Sequence, residues 1–255
     1  MGNLAPGKGS IQNRLVSRRL AEILGQGMIR LLEGCKCGSS GLLAALGGAM
    51  ALLCFTAPVL AGEKSDPYAV TVFVGKGTDT DFFSALTQPW TIHFVDLGIV
   101  GAAVSARVGT VNELTGWDLG SIGDDFSIDL ETGAAYRFGD ECGDKCGDEE
   151  MGEFWGAIYL RYDGFPWNDT IYTTIAANTG VSYITKTSEF EKGRSDGQSS
   201  QLLHYLTPEI TFADPDNKNV EWLVQLHHRS GVFGLFDGAS GGSTFVTTGL
   251  RVHFE

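Results

Sequence analysis

Apolar and polar side chains alternate one by one through most of the chain beyond residue 67. In FSIDLETGAAYRF, Phe126, Ile128, Leu130, Ala134, Tyr136 and Phe138 share one face, and Ser127, Asp129, Glu131 and Arg137 share the other. A period of two predicts a strand with one apolar and one polar side. EFWGAIYLRYDGF repeats the pattern with Phe154, Ile158, Leu160 and Tyr162 against Arg161 and Asp163, and TIYTTIAANTGVSYITK repeats it with Ile171, Ile175, Val181 and Tyr183. Eight segments of this kind are predicted, at 68–76, 95–108, 126–138, 153–164, 170–186, 199–213, 220–231 and 243–254. Several exceed ten residues, longer than the usual strand of a soluble sandwich and suited to a tilted strand that crosses a membrane.

A polar face on every strand fits a soluble sandwich with its polar side in water, or a barrel with its polar side in the lumen and its apolar side in lipid. The connections favour the barrel. With both termini in the periplasm, GDECGDKCGDEEMG and TSEFEKGRSDGQ lie outside, while the short FPWND and DPDNKN lie inside. Long outside and short inside is the barrel pattern. The second connection, from Gly109 to Asp125, breaks it. The fold class expected is therefore all-β: an eight-stranded antiparallel transmembrane β-barrel over residues 62–255. The last strand ends on an aromatic, Phe254, like the terminal signal of outer-membrane barrels, although Glu255 follows.

Residues 41–61, GLLAALGGAMALLCFTAPVLA, carry no charge, follow Arg30 and Lys36, and end in Val59-Leu60-Ala61. This predicts that 1–61 is a leader and signal peptide cleaved after Ala61; Met28 offers a more ordinary start for it. An uncleaved anchor helix is the alternative reading of the same stretch. Beyond it the chain holds 12 basic and 29 acidic residues out of totals of 18 and 31. So anionic a surface repels phosphates, which argues against nucleic acid as a partner. Cys142 and Cys146 are the two cysteines after the leader, four apart in a glycine-rich loop. In an oxidising compartment they predict a small disulfide clasp. The acidic stretch Asp140 to Glu150 reads as a solvated surface loop, with a divalent-cation site as its alternative.

The candidate chemistry lies at the end of the seventh segment. Trp222, Val224, Leu226, His228 and Ser230 fall on the apolar face, and Glu221, Leu223, Gln225, His227 and Arg229 on the other. A histidine and a serine facing hydrocarbon are costly unless they bond each other or lie at the interface. Two apart on one face, they are expected to hydrogen-bond, the arrangement that activates a hydroxyl nucleophile. His227 reads as a luminal polar residue, His93, His204 and His253 as strand or interface histidines, and Trp90, Trp155 and Trp222 as interfacial belts.

His228-Arg229-Ser230, then Asp237-Gly238, then a last strand over 243–254 resemble the lipid A 3-O-deacylase (PagL-like) family of outer-membrane enzymes. The resemblance implies an esterase acting on an acyl ester of lipid A or lipopolysaccharide, with Ser230 as nucleophile, His228 as base and then acid, and a carboxylate orienting the imidazole. The family's glutamate would fall near Ser240; here Asp237 is the candidate. No cofactor or metal is required, and the partner is outer-membrane lipid. Two alternatives remain: a non-enzymatic small barrel with a structural or surface-binding role, and a soluble sandwich or lipocalin-like binder.

Overall fold

A computed structural model describes residues 67–139, 149–194, 197–232, 234–236 and 238–254. The predicted leader and signal peptide, the Cys142–Cys146 clasp and Asp237 lie outside these residues. In chain order the elements are β1 (Tyr68–Thr78), α1 (Phe82–Thr87), β2 (Phe94–Thr110), α2 (Val111–Thr115), α3 (Ser121–Asp125), β3 (Phe126–Gly139), β4 (Met151–Tyr162), β5 (Tyr172–Ile184), α4 (Glu189–Gly193), β6 (Leu202–Leu206), β7 (Glu209–Asp214), β8 (Asn217–Ser230) and β9 (Gly242–Phe254). Neighbouring strands are antiparallel, and β1 pairs with both β2 and β9, which closes the sheet into a barrel.

β6 and β7 form one stave. The segment predicted as a single strand over 199–213 is interrupted at Thr207-Pro208, because proline has no N–H to give to the ladder. The register is unbroken across the gap: Tyr205 faces Gly180 and Ile210 faces Ile175, and on the other side His204 faces Ser230 and Glu209 faces Gln225. Thr207 N–H finds Asn178 Oδ1 instead of a strand partner, at 2.5 Å. The barrel therefore has eight staves. A row of paired residues from Tyr68 through Ala106, Leu130, Ile158 and Thr179 comes round through Leu206, His228 and Thr244 to Thr78, ten residues further along β1. That stagger tilts the strands against the barrel axis.

The distribution of side chains is inverted relative to a soluble domain. Leu130, Ile158, Leu160, Ile175, Val181 and Tyr183 are exposed on the outer wall, while Asp129, Glu131, Arg137, Glu153, Arg161, Glu209, Arg229 and Arg251 are buried in the lumen. The charges are paired. Arg251 grips both carboxylate oxygens of Glu209 at 2.7 Å, and Arg161 joins Glu209 to Asp129 at 3.0 Å on each side. Nearer the outer mouth Arg137 meets Glu153 at 2.6 Å, and Arg137 and Arg229 both hold Glu191 of α4, at 3.3 and 3.0 Å. Phe73, Trp155, Tyr205 and Phe245 fill the space between the two clusters.

Trp155 is thus not a belt residue. It is 4% exposed, and its indole N–H donates to Glu131 at 2.9 Å. It alternates with Phe154, which faces out, and it packs over Gly133, where a Cβ would strike the indole. Trp90 and Trp222 are exposed, as a belt requires.

An apolar outer wall and a paired, charged lumen in a closed sheet mark a barrel whose solvent is lipid, since closure leaves no open strand edge. Removing one partner of the luminal network strands its charges. Glu209→Ala is expected to destabilise the refolded barrel by roughly 3–5 kcal/mol, read from urea unfolding in vesicles; a change within experimental scatter would show that the network contributes no pairing energy.

Candidate functional site

β8 divides its side chains as the alternation predicts. His227 and Arg229 are fully buried in the lumen, and His228 and Ser230 lie on the outer wall, partly buried. His227 is held between Glu153 and the Tyr205 hydroxyl, each at 3.1 Å. Arg229 reaches Glu191 and the carbonyl of Ser200 at 2.7 Å. The strand thus ties the luminal network, on one side, to the candidate pair on the other.

On the outer wall His228 does not bond Ser230. Its Nδ1 lies 2.8 Å from Thr244 Oγ1, on the residue directly opposite in β9. The physical reason is spacing: residues i and i+2 of one strand stand about 6.5–7 Å apart, whereas side chains facing each other across two strands start about 4.5–5.5 Å apart at Cβ.

Ser230 faces His204 across the β6–β8 ladder. His204 Nε2 is in turn 2.9 Å from Thr179 Oγ1 on β5. The outer wall therefore carries two imidazoles and three hydroxyls on adjoining staves: Thr179, His204, Ser230, His228 and Thr244. Thr244, Thr179 and the facing of His204 escaped sequence reasoning; the one available signal was the register of β9 against β8, which no local pattern encodes.

Phe82, at the start of α1 in the first connection, stacks on His228 with ring centroids 4.4 Å apart and planes 29° from parallel. α1 begins there because Asp81 caps it, its carboxylate accepting from Ser84 N–H at 2.9 Å. Hydrogen bonds from Ser84 hold the Asp81 pKa below its usual value. A lowered folded-state pKa means that this cap is fully formed above the ordinary carboxylate range and is lost as pH falls through the lowered value. Asp237, the candidate carboxylate, is outside the described residues. His93 is an exposed loop residue against Asp79 at 3.1 Å, and His253 faces the lumen near Glu221 at 3.4 Å.

A closed eight-stave barrel of this size, with a filled charged lumen and a largely apolar outer wall, is a small transmembrane barrel of the bacterial outer membrane. No family model and no curated protein matches the chain. Among solved structures, the outer membrane enzyme PagL is 15% identical with a TM-score of 0.46, covering 73% of this chain and 99% of its own. Neisserial surface protein A is 10% identical with a TM-score of 0.42, over 73% and 97%. The N-terminal barrel domain of Pseudomonas aeruginosa OprF is 10% identical with a TM-score of 0.37, over 74% and 98%. Likenesses at this level carry no residue assignment, so the site is read from its own geometry.

Phe82 shields one face of the imidazole. Phe82→Ala is expected to speed modification of His228 by diethylpyrocarbonate, followed by mass spectrometry of the labelled peptide, with His227 in the lumen unlabelled in both proteins. Equal labelling of His228 in both would show that the stacking does not cover the ring.

Proposed function

We propose that this barrel hydrolyses an acyl ester of lipopolysaccharide, within lipid A, at the outer face of the membrane. The observation that carries the reading is the position of His228 and Ser230: both are on the lipid-facing wall, at the outer end of a strand whose outward residues from Val220 to Leu226 are apolar. A polar pair in that place is costly in hydrocarbon and is understandable where a lipid ester is the substrate. Ser230 attacks the acyl carbonyl, and His228, which the free protein holds apart from Ser230, closes on it to take its proton and returns that proton to the departing alcohol. Water then releases the fatty acid by the same route in reverse.

Thr244 Oγ1 engages Nδ1 and leaves Nε2 to act on the serine; where the threonine hydroxyl accepts from Nδ1–H, Nε2 is the acceptor that a serine hydrolase requires. Thr244 supplies orientation without the negative charge of a carboxylate, so turnover is slow unless Asp237 approaches the ring. A shallow apolar groove also crosses the outer wall from Tyr68 and Phe254 over Leu130 and Ile158 to Thr179 and Val181, next to His204. It offers a seat for an acyl chain.

One observation favours a second reading, a non-enzymatic barrel that binds surface lipid. Phe82 covers His228, and the ring's described hydrogen bond goes to Thr244, so the cluster also works as an interfacial polar rim. Mass spectrometry of lipid A from cells carrying the wild type, Ser230→Ala or His228→Ala separates the two. The hydrolase predicts a deacylated species in the wild type that disappears in both variants. An identical acylation pattern in all three would leave only the binding role.

A further inference from the structure

The second connection is the exception to the rule of short periplasmic turns, and its structure is too ordered for a slack loop. α2 opens with a capping box, Thr110 N–H donating to Glu113 Oε2 at 2.8 Å and Glu113 N–H to Thr110 Oγ1 at 3.3 Å, and it closes on Gly116 in the left-handed region at φ 69°. Asn112 then knots the segment: its amide donates to the Gly120 carbonyl at 3.0 Å and to Asp124 at 2.8 Å, and its oxygen accepts from Leu119 N–H at 3.0 Å. The knot holds four large apolar side chains in the open. Leu114, Trp117, Leu119 and Ile122 are 44, 68, 49 and 64% exposed.

These four adjoin the lipid-facing wall. α2 follows directly on β2, where Val108 is exposed, and α3 runs into Phe126, whose ring packs on Tyr162 at 4.8 Å. From Tyr162 the aromatic band passes to Phe165 at 5.1 Å and on to Trp167 at 4.8 Å. Asp163 N–H donates to the Asp125 carbonyl at 3.1 Å, tying the second connection to the fourth.

We infer that residues 111–125 form an interfacial anchor that seats Leu114, Trp117, Leu119 and Ile122 in the periplasmic leaflet, below the wall formed by β2 and β3. The occupant is lipid. Four side chains cover far less than the roughly 800 Å² per partner of a standard protein interface, and the patch continues a surface already in hydrocarbon. Tryptophan at its centre suits the boundary between headgroups and acyl chains. Between Gly109 and Asp125 there are four acids, Glu113, Asp118, Asp124 and Asp125, and no lysine or arginine. Attachment is therefore apolar, independent of anionic headgroups and insensitive to salt. It concerns the periplasmic side and stands whether or not Ser230 is a nucleophile.

The test uses the full chain refolded into phosphatidylcholine vesicles, with folding checked by electrophoretic mobility. The emission of Trp117 is isolated by subtracting that of Trp117→Phe. Expected is loss of this emission when the acyl chains are brominated near the headgroup, shelter from acrylamide, and no change with added salt or anionic lipid. A Leu119→Ser, Ile122→Ser double variant keeps all five tryptophans and serves if Trp117→Phe does not fold; its bromolipid quenching falls below that of the wild type. Access to acrylamide without quenching by brominated lipid overturns the anchor in favour of a free periplasmic loop. Shelter from both quenchers overturns it in favour of a protein-covered surface.

Discussion

Arg251 and Glu209, joined by two parallel hydrogen bonds inside the barrel, are the contact on which the other placements depend. The pair does not stand alone: Arg161, Asp129 and Glu221 extend it around the lower lumen. A one-residue slip of any strand reverses the facing of every side chain on it. For β3, β4, β8 or β9 such a slip would turn a buried arginine or carboxylate into lipid, where it has no partner. The luminal network thus selects one register, and the apolar wall, the stagger and the closure follow from that choice.

The polar cluster on the outer wall inherits its geometry from the same register. Thr244 meets His228, and Ser230 meets His204, because the ladder places them opposite each other. No loop has to fold correctly to bring these four together. Loops act afterwards: α1 lays Phe82 over the imidazole, and α4 lowers Glu191 into the mouth of the barrel, where Arg137, Arg229 and Ser243 receive it. Glu149, at the end of the third connection, accepts the first N–H groups of α4 at 2.7 and 3.0 Å and holds that helix in place.

What was legible in the sequence is what period two encodes. Ser127, Asp129, Glu131 and Arg137 point inward as their alternation with apolar neighbours requires, and so do His227 and Arg229. Trp155 departs from the belt expected of a tryptophan because position outweighs residue type: the alternation that sends Phe154 outward sends Trp155 inward. The break at Pro208 has a visible local cause, yet the unbroken register across it depends on both neighbouring strands. Thr244 and Thr179 were illegible for a deeper reason. Cross-strand partners are set by pairing between segments far apart in the chain, and no single segment contains that information.

The wall of this barrel is one backbone thick. Along His228-Arg229-Ser230 the same two peptide bonds carry an arginine that anchors the luminal network and the two residues that face the membrane. Inner and outer chemistry have no insulating layer between them, unlike a site on the surface of a soluble domain, which rests on a packed core. The pull of Glu191 on Arg229 acts on the same backbone from which Ser230 and His228 project. The interior charge pattern and the exterior polar cluster are therefore bound to change together, as two sides of one strand.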